Sequence, residues 1–317
     1  MRFDVLPLAL CASIAAAQTF PSRPIRLIVP FAPGGSSEFV ARTVSSEMTQ
    51  GLGQNIVVEN KPGGGGNIAM MEVARAEPDG YTLIIGHIGS LAVNPYMTEK
   101  PLYDPNRDFT PVSLLVKVPT LYVVHASLPV KDLRELVALA KKEPGKLNYG
   151  SAGNASAGHL AMEYFKLASG IDIQHVPYKG TGPMVVDFVA GRTQVGVAGT
   201  PPLLQHIKSG KLRAVAVGTH ERLAVLPAVG SVSEQGYPGF ETSQWYGLIG
   251  PAKMPEPVVR RLYEEAAKAV KSKAMLERLA VESAIGVGST PEQFAQYIAK
   301  EQTRWREVVQ KAHIKAD

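Results

Sequence analysis

The segment 24–42 most constrains the fold of this chain, because it combines a strand, a glycine turn and a helix start. The branched apolar run Ile25–Val29 predicts a buried strand, and the chain then turns through Gly34-Gly35. A helix is expected next, with the hydroxyl of Ser36 or Ser37 as its N-cap. Backbone N–H groups at a helix start lack intrahelical partners, and the helix dipole adds positive charge there. An anion is therefore the expected ligand, although the two glycines could also serve only to turn the chain.

A second stretch, 147–156, has the same order of elements far along the chain. Leu147–Gly150 predicts a strand, the small residues 151–154 predict a turn, and a helix is expected to begin at Ser156. Ligands of open α/β sheets bind in the crevice at the carboxyl ends of the strands. We therefore expect two helix N-termini from separate lobes to face one cleft, with Ser90 added by a third loop.

Strands and helices alternate along most of the chain, which is typical of an α/β fold with parallel sheets. Residues 110–126 predict two extended runs broken at Pro119, and 244–249 predicts one more. These extended runs are interpreted as two hinge crossings between lobes. The predicted division is 18–117 for the first part of lobe 1, 118–247 for an inserted lobe 2, and 248–317 for a helical return to lobe 1.

The N-terminus predicts the compartment. Arg2 is followed by a short apolar run that ends in three alanines, which indicates a secretory signal peptide over residues 1–17, cut after Ala17. The run is too short to span a bilayer. Cys11 lies within it, but Leu10 precedes it where a lipoprotein site prefers a small residue, so lipid anchoring is the lesser alternative. A periplasmic location is expected, and cleavage removes the single cysteine.

Charge and histidine spacing narrow the functional classes. The formal net charge of +5 is scattered along the chain without a basic stripe interleaved with aromatic residues, so no nucleic-acid partner is expected. The seven histidines have no close metal-ligand spacing, so neither a metal nor another cofactor is predicted. A mild positive field suits an anionic small molecule, although it could also serve solubility alone.

The glycine-rich loops do not match catalytic motifs. A nucleophile elbow is nearly present around Ser156, but Asn154 occupies the position of its first glycine. Ser156 is therefore expected to be a helix cap or a ligand contact and not a nucleophile. No set of acid, base and nucleophile is evident, so we predict a binding protein without catalytic residues. A secreted hydrolase or transferase that uses the same loops is the alternative from another class.

Several motifs together resemble one family. They are the runs FPSRPIR from Phe20, VPFAPGGSS from Val29, VENKPGGGGN from Val58, PDGYTL from Pro78, NYGSAGN from Asn148, HVPYKG from His175 and HIKSGKLR from His206. Across residues 21–315 the chain resembles the periplasmic solute-binding proteins of tripartite tricarboxylate transporters, the Bug receptors. The resemblance implies a two-lobed Venus-flytrap fold of the class II periplasmic type, a monomer that holds a small carboxylate and delivers it to a membrane permease. A sensor that feeds a signalling histidine kinase is the alternative within the same fold.

The resemblance also implies which residues contact the ligand. The first loop would contribute Ala32, Pro33, Gly34, Gly35, Ser36 and Ser37, and the second Ser151, Ala152, Gly153, Asn154 and Ser156. His159 would lie just inside the second helix, where a structural hydrogen bond is the alternative role. Tyr178 and Lys179 would close the cleft, unless Tyr178 is packed and Lys179 solvated.

Three positions depart from the family pattern. Family members commonly have aspartate where this chain has Glu38, and often have aspartates in place of Gln194 and Ala198. If the position of Ala198 contacts the ligand, loss of an acid there weakens recognition of an amino group. The departure favours a plain carboxylate over an amino acid such as aspartate.

Overall fold

The computed structural model describes residues 20–98, 100–312 and 314. The predicted signal peptide, its cleavage after Ala17 and the lipid-anchor alternative at Cys11 lie outside these residues. Within the described ranges, no helix combines the length and the apolar character needed to cross a membrane.

The strands and helices alternate as the sequence predicts. The strands are β1 (Ile25–Val29), β2 (Ile56–Asn60), β3 (Thr82–His87), β4 (Phe109–His125), β5 (Asn148–Ser151), β6 (Gln174–Pro177), β7 (Val195–Gly199), β8 (Leu212–Val217), β9 (Ser243–Pro251) and β10 (Ile285–Gly286). The helices are α1 (Ser36–Leu52), α2 (Asn67–Ala74), α3 (Leu133–Lys142), α4 (Ala157–Ser169), α5 (Thr181–Val189), α6 (Thr200–Lys208), α7 (Glu256–Ala269), α8 (Lys273–Val281) and α9 (Pro291–Lys311).

Lobe 1 is built on a sheet in the order β2-β1-β3-β9-β4, in which β1 pairs in parallel with β2 and β3. The strand β9 lies antiparallel to both β3 and β4, and β10 pairs with β4. One face of this sheet packs on α1, α7 and α8, and the other packs on α2 and α9. The parallel strands β1 and β3 are buried on both faces, which explains their continuous apolar runs.

Lobe 2 is built on β7, β5 and β6, which are parallel, together with the end of β4 and with β8. Its two cores lie on opposite faces, one against α3 and α4 and the other against α5 and α6. In both lobes, the loops that follow parallel strands therefore point toward the boundary between the lobes, where β4 passes from one sheet to the other.

The predicted break at Pro119 is wrong, because β4 is a single strand. Residues 109–119 pair with β9, whereas 120–125 pair with β7 and β8. Proline lacks an N–H donor and interrupts a ladder. Here it lies where the strand changes partners, so a missing donor does not end the strand.

Other predicted boundaries shift by up to three residues. The structure also contains a π-helical turn over Gly89–Val93 directly after β3, and the short α8, neither of which the sequence pattern indicated. A capping box begins α9: the Thr290 hydroxyl accepts the N–H of Gln293, whose side chain accepts the N–H of Thr290.

Candidate functional site

Loops from both lobes meet at an inner cavity of about 20 Å³, which has room for roughly one water molecule. It is lined by Phe31, Ser37, His87, Ile88, Ala152, Ser156, Ala157, Gly158, Thr181, Val197, Ala198, Gln244, Trp245 and Tyr246. No lining side chain carries a formal charge, since the pKa of His87 is lowered to about 3 by burial. The polar groups facing this space are therefore hydroxyls, amides and a neutral imidazole.

An outer cavity of about 230 Å³ adjoins the inner one, and Phe31 and Ala152 are walls of both. Its other walls are the glycines 63–66, Gly153, Asn154, Pro177, Tyr178 and Lys179. The four glycines all have positive φ, and successive N–H groups in such a turn form a concavity that suits anions.

The first loop differs from the expectation in one respect. The N-cap of α1 is Gly35, in an extended conformation with no side-chain cap, so the predicted cap at Ser36 or Ser37 is wrong. The helix begins one residue earlier than such a cap requires, and the buried Ser36 Oγ has no hydrogen-bond partner in the described part of the chain. The turn is held instead by Glu38, whose Oε2 accepts the N–H of Gly34 at 2.7 Å.

The second loop is held by its own hydroxyls. Ser156 is the N-cap of α4 and accepts the N–H of His159, as expected for a cap, and it also lines the inner cavity. The Ser151 Oγ accepts the N–H of Gly153 at 3.1 Å and lies 2.7 Å from Nε2 of His175. Ser156, Ala157 and Gly158, at the start of α4, line the inner cavity.

His159 supports this loop and is not among the walls of either cavity. Its Nδ1 accepts the N–H of Ala155 at 3.1 Å, and its ring stacks on His175 with centroids 4.2 Å apart. The other face of His175 stacks on Tyr149. Burial lowers the pKa of His159 to about 4, so the ring is neutral and can accept the bond.

The lobes touch directly across the cleft. The N–H of Ala32 donates to the carbonyl of Lys179 at 2.9 Å. Tyr178 donates its hydroxyl to Asp187 at 3.0 Å, which fixes its ring beside the outer cavity. Tyr178 and Lys179 therefore lie at the lobe boundary and line the outer cavity.

The predicted residues are not all in one place. Ser37, Ala152 and Ser156 reach the inner cavity, while Gly34 and Gly35 line a shallow surface pocket with Glu38. Ser90 is buried, and its hydroxyl bonds to the backbone N–H and carbonyl of His87. Of the departures from the family pattern, only Ala198 lines the inner cavity. Gln194 instead bonds to the backbone and side chain of Asn148.

Sequence reasoning missed several walls of the inner cavity: Phe31, His87, Thr181, Gln244, Trp245 and Tyr246. A signal existed for two groups. Thr181 follows Gly180 at the start of α5, a further strand–glycine–helix junction, and residues 244–246 place aromatic side chains within a predicted hinge strand. Over the part of the chain that the structure describes, no three histidine, cysteine, aspartate or glutamate residues are grouped to hold a metal ion.

Comparison with known proteins gives consistent results. Residues 40–314 match the model of the tripartite tricarboxylate transporter family receptor. Protein BugT of Bordetella pertussis is 36% identical over 305 residues, covering 96% of this chain and 94% of that protein. The structure of R. palustris Rpa4515 with adipate superposes with a TM-score of 0.90 at 35% identity, covering 93% of this chain and 99% of that one.

The structure of MatC from Rhodopseudomonas palustris with bound malate has a TM-score of 0.88 at 34% identity, and covers 92% of this chain and 100% of that one. These similarities extend over both lobes and both crossings. The two-lobed α/β Venus-flytrap fold expected from the sequence is confirmed.

Proposed function

Because the chain belongs to the tripartite tricarboxylate transporter receptor family, we propose that it is a periplasmic solute-binding protein for a small dicarboxylate. In this proposal the acid is held between the lobes and delivered to a membrane permease. The observation that carries it is the meeting of two amide-rich helix starts, those of α1 and α4, at one cavity between the lobes. Unpaired amides at helix starts bind carboxylates without a cationic side chain.

The two adjoining cavities support a dicarboxylate in particular. In this proposal the acid occupies the outer cavity, with one carboxylate directed past Phe31 toward Ser37 and Thr181 at the inner cavity. The rest of the molecule lies along the four-glycine turn. Similar proteins have been solved with adipate and with malate, which are both dicarboxylic acids. Because no side chain lining the inner cavity is charged, we expect hydrogen-bond donors to determine which acid binds.

Transport follows from closure. A ligand that contacts both helix starts at once binds the closed form more tightly than the open form, so it shifts the population toward closure. The permease would then recognise the closed surface, to which both lobes contribute. The short apolar stretch before residue 18 supports export to the periplasm.

Thermal-shift screening of the purified, refolded protein tests the proposal. The panel contains acetate, succinate, malate, adipate and citrate. Sulfate is the control for negative charge without a carboxylate, and succinamide is the control for the shape of succinate without its charge. A ligand at about a hundred times its dissociation constant should stabilise the protein by about 2.7 kcal/mol. A dicarboxylate is expected to raise the melting temperature most. Equal responses to all acids and to sulfate, or no response, would contradict the proposal.

A further inference from the structure

His87 is the last residue of β3 and forms part of the wall of the inner cavity. It pairs with Tyr246 of β9, so it lies where lobe 1 meets the hinge strand. Its side chain is fully enclosed, with 2% of the residue exposed, and its ring packs 4.8 Å from the ring of Phe31. Phe31 is a wall of both cavities, so His87 stands beside the junction between them.

The hydrogen bonds of the ring determine its tautomer. The N–H of Gly89 donates to Nδ1 of His87 at 3.0 Å, so Nδ1 carries the lone pair. In a neutral imidazole the proton is then on Nε2, which becomes a donor. Burial keeps the ring neutral, because it lowers the pKa of His87 to about 3.

Among the residues that the structure describes, Nε2 of His87 has no hydrogen-bond partner. The space beside it is bounded by Gly66, where an added Cβ would come within 3.4 Å of Nε2. Gly66 also lines the outer cavity, so Nε2 lies between a residue of the inner wall and a residue of the outer wall. A buried donor without an acceptor costs free energy, and such groups in folded proteins usually have a partner.

We propose that His87 is a specificity-determining residue that donates its Nε2–H to an oxygen of the bound acid. The inference rests on the proposed carboxylate-binding function. A neutral N–H at this place donates to a carboxylate, carbonyl or hydroxyl oxygen. It disfavours an ammonium group, which has no lone pair to accept the bond. The residue thus selects oxygen-rich acids and disfavours amino acids that would present their amine there.

Calorimetric titration of variants tests the inference, with succinate, malate and adipate as probes. His87→Leu removes the donor, whereas His87→Gln keeps both an acceptor for Gly89 and an N–H donor. His125→Gln is the matched control, since His125 bonds to Ser127 and lines neither cavity. For the probe that binds the wild type best, His87→Leu is expected to lose tenfold or more in affinity. His87→Gln should stay within about threefold, and the control should be unchanged.

A measurement on the wild type covers the case in which His87→Leu does not fold. In a long-range ¹H–¹⁵N spectrum of the imidazoles, His87 should show the Nε2–H tautomer, and its proton resonance should move when the ligand saturates the site. An unmoved resonance, or His87→Leu with wild-type affinity, would overturn the inference while leaving the receptor function intact. If the wild type binds none of the acids in the thermal-shift panel, the proposed function fails and this inference fails with it.

Discussion

Gly182→Ala should weaken ligand binding without weakening the folded lobes. Gly182 lies in the first turn of α5, and a Cβ added to it would come within 2.0 Å of the carbonyl oxygen of Pro33 in lobe 1. Real Cβ contacts are no shorter than 3.0 Å, so the two backbones must separate by about 1 Å. The same separation would stretch the 2.9 Å bond from Ala32 to Lys179 beyond hydrogen-bond range.

The strain exists only when the lobes are closed. Overpacking of this kind costs about 1–3 kcal/mol, and a coupling of that size corresponds to roughly a 5- to 150-fold loss of affinity. In the open form this clash is absent, so the melting temperature of the unliganded protein should change little. Val186→Ala, at an exposed position on the same helix, is the control. Calorimetry and small-angle scattering measure affinity and closure. Wild-type affinity together with a wild-type contraction on binding would refute the reasoning.

Three further predictions concern single side chains. Ala198→Asp places a carboxylate in the inner cavity, and its repulsion of the ligand should lower the affinity for dicarboxylates at least tenfold in calorimetry. Unchanged affinity would place the ligand elsewhere. Burial lowers the pKa of His159 to about 4 and of His175 to about 3, whereas both have a pKa of 6.5 in the unfolded chain. At a pH between the folded and unfolded values, the unfolded chain therefore binds more protons than the folded one. Urea midpoints should therefore fall as pH drops from 6.5 toward 4, and His159→Gln should flatten that slope. Glu38→Ala removes the acceptor that holds the first loop and should weaken binding several-fold, whereas the control Arg42→Ala, which removes only an exposed ion-pair partner, should not.

The local parts of the fold could be predicted because their signals are local. The apolar run Ile25–Val29 specifies a strand within a few residues, and the structure confirms it. The strand through Pro119 was mispredicted because the reason for its continuity is not local. It depends on which strands lie on either side, and those come from residues 195–217 and 243–251.

The sequence indicated which loops form the candidate site, but it did not indicate most of the side chains that line it. The order of strand, glycine turn and helix start identified the segments 32–37 and 151–156, because backbone amides at a helix start lack intrahelical partners. It could not show that His87 becomes an inner wall, because a histidine at a strand end has no periodic signature. Its role depends on Gly89, whose amide fixes the tautomer, and on Gly66, which leaves space beside Nε2.

Several of the tightest approaches between the lobes are made at glycine. A Cβ on Gly65 would lie 2.7 Å from the carbonyl oxygen of Asn154, and one on Gly89 would lie 2.1 Å from that of Ala155. At these points backbone meets backbone, and such contacts are the same whichever acid is bound. In the proposed receptor, discrimination between acids is then expected from side chains of the inner cavity, with His87 as donor and Ala198 as the position without charge. Since neither residue carries a lobe–lobe contact of this kind, substitution there should change which acid is held while the closing motion is preserved.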